Sequence, residues 1–126
     1  QAWLTADPQA QIALVGDWNI APTDDDVWDP ALFEGKTHTS QPERDAFASF
    51  EEIGFSEVTR QFTPEPRTFT YWDYTQLRFP KKQGLRIDMA LTSPALTPRV
   101  SGASIDREER KGKGASDHAP VIVEIS

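Results

Sequence analysis

An α/β layered domain is the fold class this sequence predicts, on three observations. Two short apolar runs rich in β-branched residues, 11–15 and 121–125, read as buried strands. Three further segments, 67–74, 85–92 and 99–105, have strand character. Only one stretch, from Ser40 to Gly54, has a helix start, an apolar stripe and a stop. Strands and helices gain stability by burying apolar faces against each other, so five strands with a helix imply stacked layers. One helix cannot cover both faces of such a sheet, and the remaining faces must pack on something outside these 126 residues.

Each element follows from local chemistry. Residues 1–8 read as the end of a helix, with Ala2-Trp3-Leu4 apolar and Asp7-Pro8 as the stop. Residues 11–15 show almost no alternation, as expected of a strand buried on two faces. Residues 21–40 form a long loop, and Asp24, Asp25 and Asp26 read as a solvated turn or helix first turn rather than a metal loop. At 40–43, Ser40 can cap a helix, Pro42 is tolerated in the first turn and Glu43 occupies the capping-box position. That helix is expected to bury Phe47, Phe50 and Ile53 and to end at Gly54. Residues 75–84, with Pro80 and Gly84, form a loop; residues 106–116 form a polar, basic one before the last strand.

Composition narrows the function classes. No run of about eighteen apolar residues exists, so no membrane span is expected. The chain opens on Gln1 without a basic and apolar leader, which suggests a fragment or processed piece without a signal peptide. The absence of cysteine excludes disulfides and thiolate metal sites and fits a cytoplasmic protein. A net charge of −7 argues against a uniformly basic nucleic-acid binder. Its distribution is uneven, however: residues 78–113 hold nine Lys/Arg and four acids, whereas residues 1–77 hold four Lys/Arg and fourteen acids. Two solvated faces explain this pattern, and so does a basic rim for a polyanion beside an acidic centre.

Two strand ends carry the polar residues best placed for chemistry. Asp17 and Asn19 follow the first strand, and Asp117 and His118 precede the last. Asp and Asn are also ordinary turn formers beside Gly16. Asp88 lies inside the apolar run 85–91 and needs a partner there, because an unpaired buried carboxylate is costly. Arg86, two residues away on the same strand face, is one candidate; His118, held through a ring N–H, is the other. Tyr71, Trp72 and Tyr74 suit a sheet core or a surface that stacks on a base or sugar.

Four motifs then occur in a telling order: Gly16-Asp-Trp-Asn-Ile-Ala-Pro22, Tyr71-Trp-Asp-Tyr74, Leu85-Arg-Ile-Asp88 and Ser116-Asp-His-Ala-Pro-Val121. In this order they resemble the exonuclease III-type apurinic/apyrimidinic endonucleases of the endonuclease/exonuclease/phosphatase superfamily. The resemblance covers residues 12–125 and only the C-terminal half of that family's domain. It implies that residues 1–126 are the C-terminal part of a single four-layered α/β sandwich of the DNase I-like, exonuclease III-like type, with the N-terminal half absent. The family's metal-gripping glutamate belongs to that other half. No glutamate here sits in a matching context, since Glu34, Glu51 and Glu52 fall in a loop and a helix.

The resemblance implies a Mg²⁺-dependent DNA-repair phosphodiesterase, with Mn²⁺ able to substitute. Its implied partners are double-stranded DNA with abasic sites or 3′ ends and the missing N-terminal half. The implied activities are abasic-site endonuclease, 3′–5′ exonuclease on duplex DNA and 3′-phosphatase. The alternatives are a small-molecule phosphoesterase of the same superfamily and a non-catalytic nucleic-acid- or protein-binding fragment. By motif, Asp17 resembles the acid that handles the proton of the attacking water or of the leaving 3′ oxygen. Asn19 resembles the residue orienting phosphate or metal beside it. Asp117 resembles a metal ligand, with Asp17 and Asn19 close to the same ion. His118, oriented by Asp88, resembles the group that polarises the phosphate or activates water. Tyr71, Leu85 and Ile87 correspond to a pocket for a base-free sugar, with Trp72 behind it. Arg78, Lys81, Lys82, Lys111 and Lys113 are the expected contacts to the DNA backbone.

Overall fold

The computed structural model describes residues 2–126. After a short helix α1 (Ala2–Ala6), strand β1 (Ala13–Asp17) pairs antiparallel with β3 (Asp88–Thr92). Strand β2 (Ser56–Glu57) pairs with the other edge of β3, giving the sheet order β1-β3-β2. A second sheet is the antiparallel pair β4 (Val100–Ile105) and β5 (Val121–Ile125), with an irregular register between Val100 and Gly102. Three more helices lie between β1 and β3: α2 (Pro30–Phe33), α3 (Gln41–Glu52) and α4 (Thr59–Phe62).

Helix α3 starts as its sequence predicts. The Ser40 hydroxyl accepts from the Glu43 amide and donates to the Glu43 carboxylate, which satisfies a free backbone donor of the first turn. Its apolar stripe covers one face of the first sheet. Phe47 packs with Phe55, Met89 and Leu91, and Phe50 and Ile53 flank them. Trp18 meets Phe47 and Phe50 edge-on, which fixes the chain immediately after β1.

On the opposite face β1 lies open, while Ala90 and Thr92 of β3 stay buried. Side chains alternate along a strand, so Leu14 turns toward α3 while Ala13, Val15 and Asp17 turn away. That side faces β5 across an apolar cleft of about 490 Å³, lined by Val15, Ala90, Val121 and Val123 among others. Val15 is 69% exposed, Ile122 44% and Ile125 49%. The two runs expected to be buried on both faces are therefore strands with cover on one side only.

Residues 67–74 do not form the predicted strand. Arg67 opens the segment in the left-handed region at φ 63°. Its backbone groups then divide between two neighbours, so no continuous ladder forms. The Thr70 and Tyr71 amides donate to the Leu85 carbonyl, while Trp72 donates to the Asp117 carbonyl and Ala119 to that of Thr70. Tyr71 thus bridges Leu85 on one side and His118 on the other. The predicted strand at 85–92 is correspondingly shorter, because Leu85 serves this bridge and the Arg86 and Ile87 amides go to the Asp26 carbonyl and the Thr70 hydroxyl rather than to a ladder.

The acidic triplet is a correction too. Residues Asp24–Asp26 form a 3₁₀ turn, but Asp26 is buried instead of solvated. Its carboxylate accepts two bonds from Arg60 Nη2, at 2.6 and 2.7 Å, and one each from the Thr23 amide and hydroxyl at 2.9 Å. Arg86, one candidate partner for Asp88, turns into the same buried region, where its guanidinium donates to Thr59 and Thr63. Burial, followed by repulsion from Arg60, lowers the Arg86 pKa. Removing the Asp26 carboxylate leaves Arg60 without its buried ion-pair partner and takes from Arg86 one of the carboxylates, with Glu57, that offset its charge. An Asp26→Ala variant is expected to lose about 3 kcal/mol of stability, read as a lower urea midpoint at unchanged slope.

Candidate active site

The β1–β3 ladder ends on an acidic pair. Asp17 and Asp88 are cross-strand partners on the face turned toward β5, so their carboxylates share one end of the cleft. His118 reaches the same point from the segment before β5. Its Nδ1 lies 2.8 Å from Asp88 Oδ2, and its Nε2 lies 3.7 Å from Asp17 Oδ2 and 3.9 Å from Asp117 Oδ1. The structure therefore brings Asp17, Asp88, Asp117 and His118 together, and it resolves the choice of partner for Asp88 in favour of His118 over Arg86.

Local folding holds each of these groups. The Asn19 amide donates to Asp17 Oδ1 at 2.8 Å, closing a tight turn that leaves Oδ2 facing the imidazole. Asn19 itself adopts φ 53°, a conformation that Asn tolerates better than most residues. Its side chain is exposed, while its backbone carries the contacts to Asp17 and His38. The Ser116 hydroxyl accepts from the His118 amide at 3.1 Å and shapes the approach to the ring. Thr70 is fully buried, and its hydroxyl accepts from the amides of Ile87 and Asp88 at 3.1 and 3.2 Å. Thr70 is a positioning group that the residue pattern did not reveal, because a hydroxyl bound to backbone leaves no periodic signal.

Burial raises the Asp88 carboxyl above its ordinary range, and the hydrogen bond from His118 opposes that rise. The Thr70 hydroxyl opposes it as well. Tyr71 lies against His118, with ring centroids 5.1 Å apart. Burial, reinforced by Asp73 and Asp117, raises the Tyr71 phenol, so at neutral pH it remains a hydrogen-bond donor.

The other proposed pocket residues part company. Leu85 and Ile87 are 5% and 2% exposed and pack in the core with Ala21 and Val27. The bridge to Tyr71 turns them inward, so they support Tyr71 from beneath instead of lining an open pocket. Trp72 is 2% exposed and packs with Phe69 and Ala119, behind the site.

The two basic segments meet at Phe79. The guanidinium of Arg107 lies 4.3 Å and that of Arg110 5.1 Å from the Phe79 ring, and Arg110 also donates to the Trp72 carbonyl. Arg78 stacks over Trp28 at 4.9 Å and binds Gln83, and Lys111 pairs with Glu108. Lys81, Lys82 and Lys113 are exposed. Of the expected DNA contacts, Arg78 is half-buried and engaged, whereas these three lysines stand in solvent.

The donor set suits a divalent cation. Asp17, Asp88 and His118 each offer a ligand atom within 4.8 Å of the others, and Asp117 adds a carboxylate at the rim. Three carboxylates against one imidazole leave surplus negative charge, and carboxylate oxygens are the hard donors that Mg²⁺, Mn²⁺ and Ca²⁺ prefer.

Comparison with known proteins shows the family of the chain. The sequence matches the profile of the Endonuclease/Exonuclease/phosphatase family over residues 1–118. It is 30% identical to an exodeoxyribonuclease of Bacillus subtilis, over 98% of this chain and 48% of that protein. It is also 30% identical to exodeoxyribonuclease III of Haemophilus influenzae, over 94% of this chain and 47% of that protein. A Neisseria 3′ phosphatase solved with a product DNA hairpin superposes with a TM-score of 0.89 at 37% identity, over 99% of this chain and 51% of that one. An AP endonuclease from Archaeoglobus fulgidus gives a TM-score of 0.89 at 28% identity, over 98% and 49%. The chain thus spans about half the length of the relatives it matches.

Proposed function

Because this chain belongs to the endonuclease/exonuclease/phosphatase family, we propose that it forms the C-terminal part of a Mg²⁺-dependent DNA-repair phosphodiesterase. The observation that carries this reading is the Asp88–His118 pair at 2.8 Å with Asp17 3.7 Å beyond it. Phosphodiester hydrolysis needs a group to move the proton of the attacking water and charge to offset the phosphate oxygens. Asp17 Oδ2 is free to take or return that proton, since Oδ1 is held by the Asn19 amide. His118, with Nδ1 committed to Asp88, offers Nε2 to a phosphate oxygen or to water. A Mg²⁺ ion held through Asp117, with Asp17 beside it, would supply the remaining charge neutralisation.

DNA as substrate is supported by the basic segments joined at Phe79 and by the exposed Tyr74 beside them. Abasic-site cleavage, 3′–5′ degradation and 3′-phosphate removal are the proposed reactions. We assign the remaining sheet cover and a further metal-binding glutamate to an N-terminal half of the domain.

The test joins this chain to the N-terminal half of the Bacillus subtilis relative and offers three duplexes: one with an abasic site, one with a 3′ end and one with a 3′-phosphate. Cleavage in Mg²⁺ that stops with EDTA is expected. Hydrolysis of small phosphate esters alone indicates the other phosphoesterase class, and binding without cleavage indicates a non-catalytic module.

A further inference from the structure

The turn that carries Asp17 and Asn19 is held by a residue with no part in the chemistry above. His38 sits at φ 79°, in the left-handed region where glycine is at ease and a residue with a β-carbon is strained. The backbone path alone would be served by glycine, so the imidazole is the feature to explain. Its Nδ1 lies 2.6 Å from the Asn19 carbonyl oxygen. The His38 carbonyl accepts from the Ala21 amide at 2.8 Å, and the His38 amide donates to Glu43 Oε2 at 2.8 Å. Arg44, on the next residue of α3, donates through Nε to the Ala21 carbonyl at 3.0 Å. Residues 19–21 are thereby tied at both ends to the start of α3, through His38 and Arg44.

We propose that His38 is a positioning residue that sets the Asp17 carboxylate. Its ring fixes the Asn19–Ile20 peptide plane through the Asn19 carbonyl, and with Asn19 held at φ 53° this restrains the preceding Trp18–Asn19 plane, which carries the Asn19 amide. The Asn19 amide then holds Asp17 Oδ1, and Oδ2 is left facing His118 Nε2. A carbonyl only accepts, so Nδ1 carries the hydrogen. The proposal rests on Asp17 being a working carboxylate of the site.

Two substitutions in the joined protein described above separate this role from a purely structural one. His38→Gly removes the ring and relieves the backbone. The unfolding midpoint should not fall, KM should stay constant, and kcat should drop about tenfold. His38→Asn places an amide donor close to where Nδ1 sits and tolerates the left-handed backbone, so it should recover most of the lost turnover. A second readout is independent of cleavage: in ¹⁵N-labelled protein the Asn19 amide resonance should move in the Gly variant and return in the Asn variant. Unchanged kcat in the Gly variant, a loss confined to KM, or an Asn19 resonance that does not move overturns the clamp. An inactive parent bears on the proposed function and not on the clamp, which the Asn19 resonance still decides.

Discussion

Asp88→Asn is expected to reduce turnover about a thousandfold in the joined protein while leaving it folded. The Asp88 carboxylate accepts from His118 Nδ1 at 2.8 Å and so orients the ring. An amide keeps the shape but loses the charge and can present an N–H where an acceptor is needed. Stability should move the other way. Burial raises the Asp88 carboxyl above its ordinary 3.8, so the native state binds its proton more tightly than the unfolded chain does. The associated stabilisation is complete below the ordinary value and is lost as pH rises through the window up to the raised value. Asn has no such loss. Relative to the parent, the variant should therefore gain stability between pH 3.5 and pH 7, measured by urea unfolding at both. Full activity in the variant would show that the Asp88–His118 contact does not contribute to catalysis.

The second large effect concerns the open face of β1. Val15, Ile122 and Ile125 leave apolar surface in solvent, and a cleft of about 490 Å³ separates its sheet from β5. Apolar patches beyond a few hundred Å² (roughly) are rare on soluble monomers. The 126-residue chain alone should self-associate and cleave DNA poorly, and joining the N-terminal half should yield a monomer with Mg²⁺-dependent activity. Sedimentation of both forms, with cleavage assayed in parallel, checks this. A monomeric, cooperatively unfolding and fully active 126-residue chain would show that the domain needs no such complement.

Much of the site was legible because each clue was a local contradiction. A carboxylate inside the apolar run 85–91 demanded a partner, and His118 beside Asp117 at a strand end offered one. The α3 cap was legible because Ser40, Pro42 and Glu43 act on their immediate neighbours. What escaped the sequence is decided across space. Residues 67–74 have strand composition, but composition is silent on whether backbone partners lie along one neighbour or are split between two. Asp24, Asp25 and Asp26 are chemically identical, and only the position of Arg60 singles out the third. The strand periodicity of Leu85 and Ile87 places them on one face without saying whether that face is pocket or core. His38 gave no signal, because a left-handed histidine is visible only as a φ angle.

The pairing of Asp17 with Asp88 in the β1–β3 ladder has a consequence for how mistakes in this protein would look. A slip of one residue costs few backbone hydrogen bonds, yet it sets Gly16 opposite Asp88 and turns the Asp17 carboxylate to the other side of the sheet. A misaligned chain could therefore keep most of its secondary structure and be silent in every assay of function. Activity in this fold reports alignment as well as chemistry, and single-residue insertions or deletions in β1 should be far more damaging than substitutions at its exposed positions.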